Sequence, residues 1–269
     1  MQPFFLSAAF GQRFRVFHPA QGSSRHGRIL YLHPFAEEMN KTRRMAACQA
    51  REMARQGYDV LQIDLLGCGD SSGDFGDATW DQWLDDARQA SQWLRARSDA
   101  PFTLWGLRAG CLIAAEVAAN LTDVAGFLFW QPVASGKQHW QQFIRLKVAG
   151  ELASGQSKGV AEHIRQQLEA GHPIDVAGYT VAPALARRLQ EAELKSPPGN
   201  GCRVGWLEVS SREDATLAPA STRIIEQWRQ AGCHVDARVA NGPAFWQTTE
   251  IETAPRLIEA TMALLESWR

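Results

Sequence analysis

Apolar and polar positions change period several times along the chain, and each change marks an element. Phe4–Ala9 and Arg13–Phe17 alternate or run apolar on either side of Gly11, the pattern of an N-terminal hairpin. Arg28-Ile-Leu-Tyr-Leu-His33 is a short apolar run followed by a polar loop. From Thr42 to Gln56 the spacing becomes helical, and Gly57 supplies the stop. Tyr58–Asp64 returns to the strand pattern, Gly67, Gly69 and Gly73 mark a turn, and Trp80, Trp83, Leu84, Ala87, Ala90, Trp93 and Leu94 recur at helical spacing. Phe102–Trp105, the Ala-rich stretch Ala109–Asn120 and the run Val124–Trp130, ended at Pro132, continue the alternation. Strand and helix in turn predict a parallel sheet with helices on both faces.

From Pro132 to about Pro198 the strand pattern disappears, and helical spacing covers Trp140–Leu152, Val160–Ala170 and Ala182–Leu194. Residues 132–200 therefore read as a helical cap inserted into a single domain spanning 1–269. Strands return at Cys202–Val209 and His234–Val239 around a helix at Ala218–Ala231. Pro255 opens a last helix with Leu257, Ile258, Leu264, Leu265 and Trp268 on one face.

Composition narrows the function classes. With 28 Lys+Arg against 29 Asp+Glu the net charge is -1, so no excess of cations is available for phosphate-driven nucleic-acid binding. No apolar run approaches the roughly 20 residues that span a bilayer. Pro3–Phe10 lacks a preceding basic region and reads as a first strand, not a secretory signal. The five cysteines, Cys48, Cys68, Cys111, Cys202 and Cys233, form no CxxC pair, which points to reduced thiols in the cytoplasm and to neither a disulfide framework nor a zinc site. No metal or organic cofactor is expected.

This order of elements, with an insertion after the sixth strand, resembles the α/β-hydrolase fold over essentially the whole chain. His33-Pro-Phe-Ala-Glu-Glu38 resembles the oxyanion loop of that superfamily, Asp64–Ser71 its turn after the fourth strand, and Gly106-Leu-Arg-Ala-Gly110 stands where the nucleophile elbow belongs. More finely, Leu32–Arg44, Trp105–Gly110 and Gly242-Pro-Ala-Phe-Trp-Gln247 are similar to the exosortase-system-associated hydrolases of the second type, found with bacterial PEP-CTERM sorting and exopolysaccharide genes. That resemblance implies the fold and a genomic setting, with no fixed substrate.

A serine hydrolase of this fold needs a nucleophile on the elbow, a His to take its proton, a carboxylate to orient the His, and amides for the oxyanion. Here the elbow carries Arg108, a permanently charged group that cannot attack a carbonyl. The loop Ala240–Gln247 holds no His, with Ala244 near the expected place, while His234 begins the preceding strand at its far end. Only the acid position keeps candidates, Glu213 and Asp214, so the triad reads as degenerate.

What remains is a helix N-terminus whose amides start at Ala109, the Phe35 amide, and Arg108 itself, which needs a carboxylate or an anionic ligand beside it. Asp214 is the first expected partner, with Glu37 and Glu38 next; ligand clamp and structural ion pair are both open. His33 reads as an acid or base or as a loop organiser, and Cys111 as an alternative nucleophile or an inward-packed thiol. Cys68 and the hydroxyls of Ser71, Ser72, Ser210 and Ser211 read as turn residues. Trp140, Phe143, Phe245 and Trp246 are core or pocket aromatics. Three functions follow: an ester or thioester hydrolase with a rewired site, a binding protein for an anionic acyl or sugar ligand using Arg108, Ala109, Phe35 and Trp246, or a scaffold for a protein partner of the sorting and exopolysaccharide system.

Overall fold

The computed structural model describes residues 1–153, 159–197 and 201–269. The N-terminal hairpin is β1 (Gln2–Ser7) and β2 (Gln12–His18). It is followed by β3 (Gly27–Leu32), α1 (Glu37–Arg55), β4 (Tyr58–Ile63), α2 (Trp80–Arg95), β5 (Phe102–Leu107), α3 (Gly110–Ala118) and β6 (Val124–Trp130). Between β6 and the next sheet strand lie α4 (Gly136–Ala153), α5 (Val160–Glu169), β7 (Ile174–Val176), β8 (Tyr179–Val181) and α6 (Pro183–Glu191). The chain then returns to the sheet through β9 (Arg203–Ser210), α7 (Pro219–Gln230), β10 (His234–Asn241) and α8 (Pro255–Ser267).

Eight strands form one sheet in the order β1-β2-β4-β3-β5-β6-β9-β10. The hairpin joins antiparallel, β2 against β4, and every pairing from β4 to β10 is parallel. Because both faces are covered, the central strands are mostly apolar, and alternate side chains feed opposite cores. Leu30, Leu104, Phe127 and Phe129 pack with α2, α3 and α7, whereas Ile29, Tyr31, Trp105, Leu128 and Trp130 pack with α1 and α8. Among the described residues no helix is long and apolar enough to cross a membrane.

Three differences from the sequence reading have clear causes. First, α1 begins at Glu37, five residues before the apolar repeat becomes visible at Thr42, because its first turn is acidic. Glu37 and Glu38 lie at the positive end of the helix dipole, where carboxylates are favourable. Second, residues 132–200, expected to be helical, also hold two short strands. The β7–β8 hairpin turns at Ala177 and Gly178, both with positive φ (50° and 84°), as a type I′ turn requires. Three-residue strands are too short for period-2 alternation to register. Third, the expected boundary at Pro198–Asn200 lies outside the described residues.

Backbone strain gathers at the carboxyl ends of the sheet strands. Among the described residues four non-glycines have positive φ, and three of them, Ala36, Arg108 and Gln131, follow β3, β5 and β6 respectively. Such conformations persist only where the surrounding packing fixes them, and they concentrate at functional sites.

Candidate functional site

The turn from β5 into α3 has the sharp backbone of an elbow. Arg108 sits at φ 54°, its amide donates to the Trp130 carbonyl at 3.0 Å, and its own carbonyl accepts from the Cys111 amide at 3.0 Å. The flanking glycines are dictated by crowding. A Cβ at Gly106 would lie 2.6 Å from the Cys111 Cα, and one at Gly110 would run into the Leu32 carbonyl oxygen and sit 2.7 Å from that of His33. The Gly-x-x-x-Gly spacing thus lets the N-terminus of α3 rest against the loop after β3 with no side chain between them.

On this elbow the Arg108 side chain is held internally. Its Nε donates to Glu38 Oε1 at 3.1 Å, its Nη2 donates to Gln142 Oε1 at 3.2 Å, and its Cζ lies 5.5 Å from the centre of the Trp246 ring. The two paired side chains are 9% and 7% exposed. Asp214, the first expected partner, is instead 82% exposed and pairs with Arg212 at 3.5 Å. The segment after β9 turns into solvent, with Glu213 exposed as well, whereas the first turn of α1 lies directly against the elbow. Trp246 comes from the loop after β10, where a triad His would stand. Ala244 on that loop is half-buried against the α1–α8 core.

A cavity of about 240 Å3 opens beside Arg108, lined by Phe35, Glu37, Glu38, His139, Phe143 and Trp246, with Lys41, Gln142, Leu146 and Gln247 at its sides. Four buried polar atoms of this lining have no hydrogen-bond partner among the described residues: Glu37 Oε2, Glu38 Oε2, His139 Nδ1 and Trp246 Nε1. Buried polar groups are ordinarily satisfied, so four on the residues lining one cavity call for a partner such as ordered water. Burial pushes the Glu38 carboxyl up to about 7, outweighing the attraction of Arg108, and raises Glu37 for the same reason. Burial, helped by the Arg108 charge, holds His139 down at about 3, so its ring is neutral.

A family model described as serine aminopeptidase, S33 matches residues 23–197. The chain belongs to this family. Solved structures agree with the fold. A carboxyl esterase from Bacillus coagulans, highly thermostable and in complex with glycerol, is 13% identical with a TM-score of 0.66, covering 99% of this chain and 98% of its own. Est1E from Butyrivibrio proteoclasticus, with ferulic acid bound, is 13% identical with a TM-score of 0.61 and 98% coverage of both chains. A soluble variant of monoglyceride lipase from Saccharomyces cerevisiae, with a substrate analogue, is 12% identical with a TM-score of 0.60, covering 98% and 94%. At these identities the likeness is one of fold. No curated protein sequence matches the chain.

In this S33 family member the other expected site residues separate. His33 is buried and both ring nitrogens are engaged: Nδ1 donates to the Pro34 carbonyl at 2.7 Å and Nε2 accepts from the Leu65 amide at 3.3 Å. It ties the loop after β3 to the turn after β4, has no nitrogen left for acid–base work, and is kept neutral by burial. The Cys111 thiol is fully buried, points toward the Trp130 carbonyl at 3.8 Å and is pushed far up by burial, so no thiolate is available. Cys68 is buried and likewise raised by burial.

The amides of Phe35 and Ala109, which would form the oxyanion pair, reach no acceptor among the described residues. Cys202 and Cys233, expected as separate thiols, bring their sulfurs to 2.9 Å across the starts of β9 and β10. Among the described residues no group of three His, Cys, Asp or Glu is arranged to hold a metal.

Of the histidines, sequence reasoning placed only His33 near the elbow; it named Glu37 and Glu38 after Asp214 as partners of Arg108, and it missed His139 and Gln142. His139 and Gln142 arrive on α4, whose docking angle has no signature in its own residues. The adjacent acidic pair Glu37-Glu38, by contrast, stood within the oxyanion-loop motif and was a readable signal.

Proposed function

We propose that this S33 family member belongs to the exosortase- and exopolysaccharide-associated type and uses its elbow cavity to bind a small acyl or glycosyl ligand without serine-triad hydrolysis. The observation that carries this is Arg108: the elbow backbone is intact, but its side chain is a guanidinium locked to Glu38 and covered by Trp246. A permanently protonated group cannot be a nucleophile, and no imidazole stands on the loop after β10 to act as base. The four unpartnered atoms beside it support ligand binding. The motifs Leu32–Arg44, Trp105–Gly110 and Gly242–Gln247 support the subtype.

One observation favours a second reading, hydrolysis by water. Glu38 has a free Oε2 at the cavity and a carboxyl held at about 7, near the pH at which a general base is most effective. In that reading Glu38 takes a proton from water as the water oxygen bonds to an ester or thioester carbonyl. The Phe35 and Ala109 amides hold the oxyanion, and its collapse breaks the bond to the alcohol or thiol, which leaves with the proton from Glu38.

Turnover of a panel of p-nitrophenyl esters and acyl-thioesters at high enzyme concentration separates the two. The binding reading predicts rates equal to blank for the wild type and for Arg108→Ala, His33→Ala, Cys111→Ala and Glu38→Gln. Turnover lost in Glu38→Gln alone supports the second reading. Turnover that survives in Glu38→Gln contradicts both.

A further inference from the structure

Resting on the binding reading above, we infer that the elbow cavity takes a neutral, hydroxyl-rich ligand with one apolar face, the chemistry of a single pyranose ring. The four unpartnered atoms differ in what they can accept or donate. Glu37 Oε2 and Glu38 Oε2 accept when their carboxyls are ionised, calling for an O–H or N–H donor, and a protonated carboxyl can also donate. Trp246 Nε1 is a donor and nothing else, so it calls for an oxygen. His139 is neutral, and its Nδ1 serves either role according to tautomer.

A hydroxyl meets both demands, donating to a carboxylate and accepting from an indole N–H. A bare acyl chain would leave all four atoms buried and unpaired, the arrangement that proteins avoid.

The surrounding charge does not single out an ionic ligand. Glu37, Glu38 and Lys41 line the cavity and Arg108 is paired with Glu38, so with both carboxyls ionised two acids stand against two bases. An anion would meet two carboxylate oxygens that have no other partner. This replaces the anionic ligand expected from Arg108 alone, because Glu38 already answers that guanidinium. An ammonium group would have to displace Arg108 from Glu38 or stand beside it.

Phe35, Phe143 and Trp246 supply the apolar side of the cavity, with the Phe35 ring edge-on to Phe143 and to His139 at centroid distances of 5.1 and 6.0 Å. Aromatic faces of this kind suit the C–H face of a sugar ring. The volume of about 240 Å3 equals roughly eight waters at about 30 Å3 each, which suits one ring and not a chain of them.

Saturation-transfer NMR with the full chain tests this, using methyl glycosides of glucose, galactose and mannose beside octanoate, inorganic phosphate and butylammonium as separate probes. The expected result is transfer from the protein to at least one glycoside. Trp246→Phe, which keeps the ring and loses the N–H, and Glu37→Gln, at a half-exposed position, should each reduce its affinity at least fivefold while their melting temperatures stay near wild type. Glycoside binding that both variants leave unchanged overturns the assignment to this cavity. Octanoate, phosphate or butylammonium binding there with no glycoside binding overturns the ligand class and leaves the binding reading standing. No binding by any probe, whether or not esters are turned over, overturns both.

Discussion

Glu38 gives one carboxylate oxygen to Arg108, 3.1 Å from its Nε, and keeps the other unpartnered at the cavity. That division explains how a guanidinium can occupy a helix N-terminus, where a cation is unfavourable. The neighbouring charge comes from the first turn of α1, itself a favourable place for a carboxylate. It also leaves the second oxygen without a partner among the described residues.

The pair should be strongly coupled. Arg108→Met leaves Glu38 buried without its partner and should cost about 3 kcal/mol, the lower end of what breaking a buried pair typically costs. Glu38→Gln keeps an oxygen for Arg108 and should cost less. The double variant should cost less than the sum of the two, by more than about 1 kcal/mol, in a double-mutant cycle of urea unfolding. Additive losses would mean the contact contributes nothing.

Two groups of the site should give opposite pH dependences. Glu38 has its proton bound up to about pH 7 when folded, against an ordinary value of 4.5, so between these the unfolded chain has ionised and the folded chain has not. Stability therefore falls as pH rises through that window, by on the order of 3 kcal/mol from this group. His139 works the other way. Below 6.5 the unfolded chain protonates while the folded ring stays neutral to about pH 3, so its share of stability is lost as pH falls, with the same sign from His18 and His33. Relative to wild type, Glu38→Gln should gain stability as pH rises from 4.5 to 7, and His139→Asn should gain as pH falls below 6.5. Chemical denaturation at several pH values reads both, and parallel profiles would refute the assignment.

Glycine substitutions should discriminate the elbow from an ordinary helix. Gly110→Ala drives a Cβ into backbone oxygens of the loop after β3 and should destabilise by at least about 2 kcal/mol. Gly150→Ala, on the exposed side of α4 with open space around it, should be neutral or stabilising by up to about 1 kcal/mol. Thermal unfolding of the two variants compares them directly.

What was readable in the sequence follows from how local each signal is. The eight main-sheet strands and their helices carried their periods openly, as in Val124–Trp130, whose reading and observed bounds coincide. The Gly106–Gly110 elbow was equally open, because its glycines answer a local backbone demand. Arg108's partner was not, since choosing between Asp214 and Glu38 depends on which loop turns to solvent, a property of tertiary packing. His139 was hidden for the same reason: α4 contributes it 31 positions along the chain from Arg108, as their numbers show, and no spacing rule links them. The β7–β8 hairpin was missed because Ala177-Gly178 is not the usual Asn-Gly turn pair and its strands are three residues long.

The central claim is that the elbow of this hydrolase fold holds no nucleophile, and active-site labelling tests it most directly. The purified chain would be incubated with a fluorophosphonate and its intact mass measured. The account predicts an unchanged mass, in wild type and in Arg108→Ala alike. Stoichiometric addition of one phosphonyl group to a serine of the wild-type chain would contradict it.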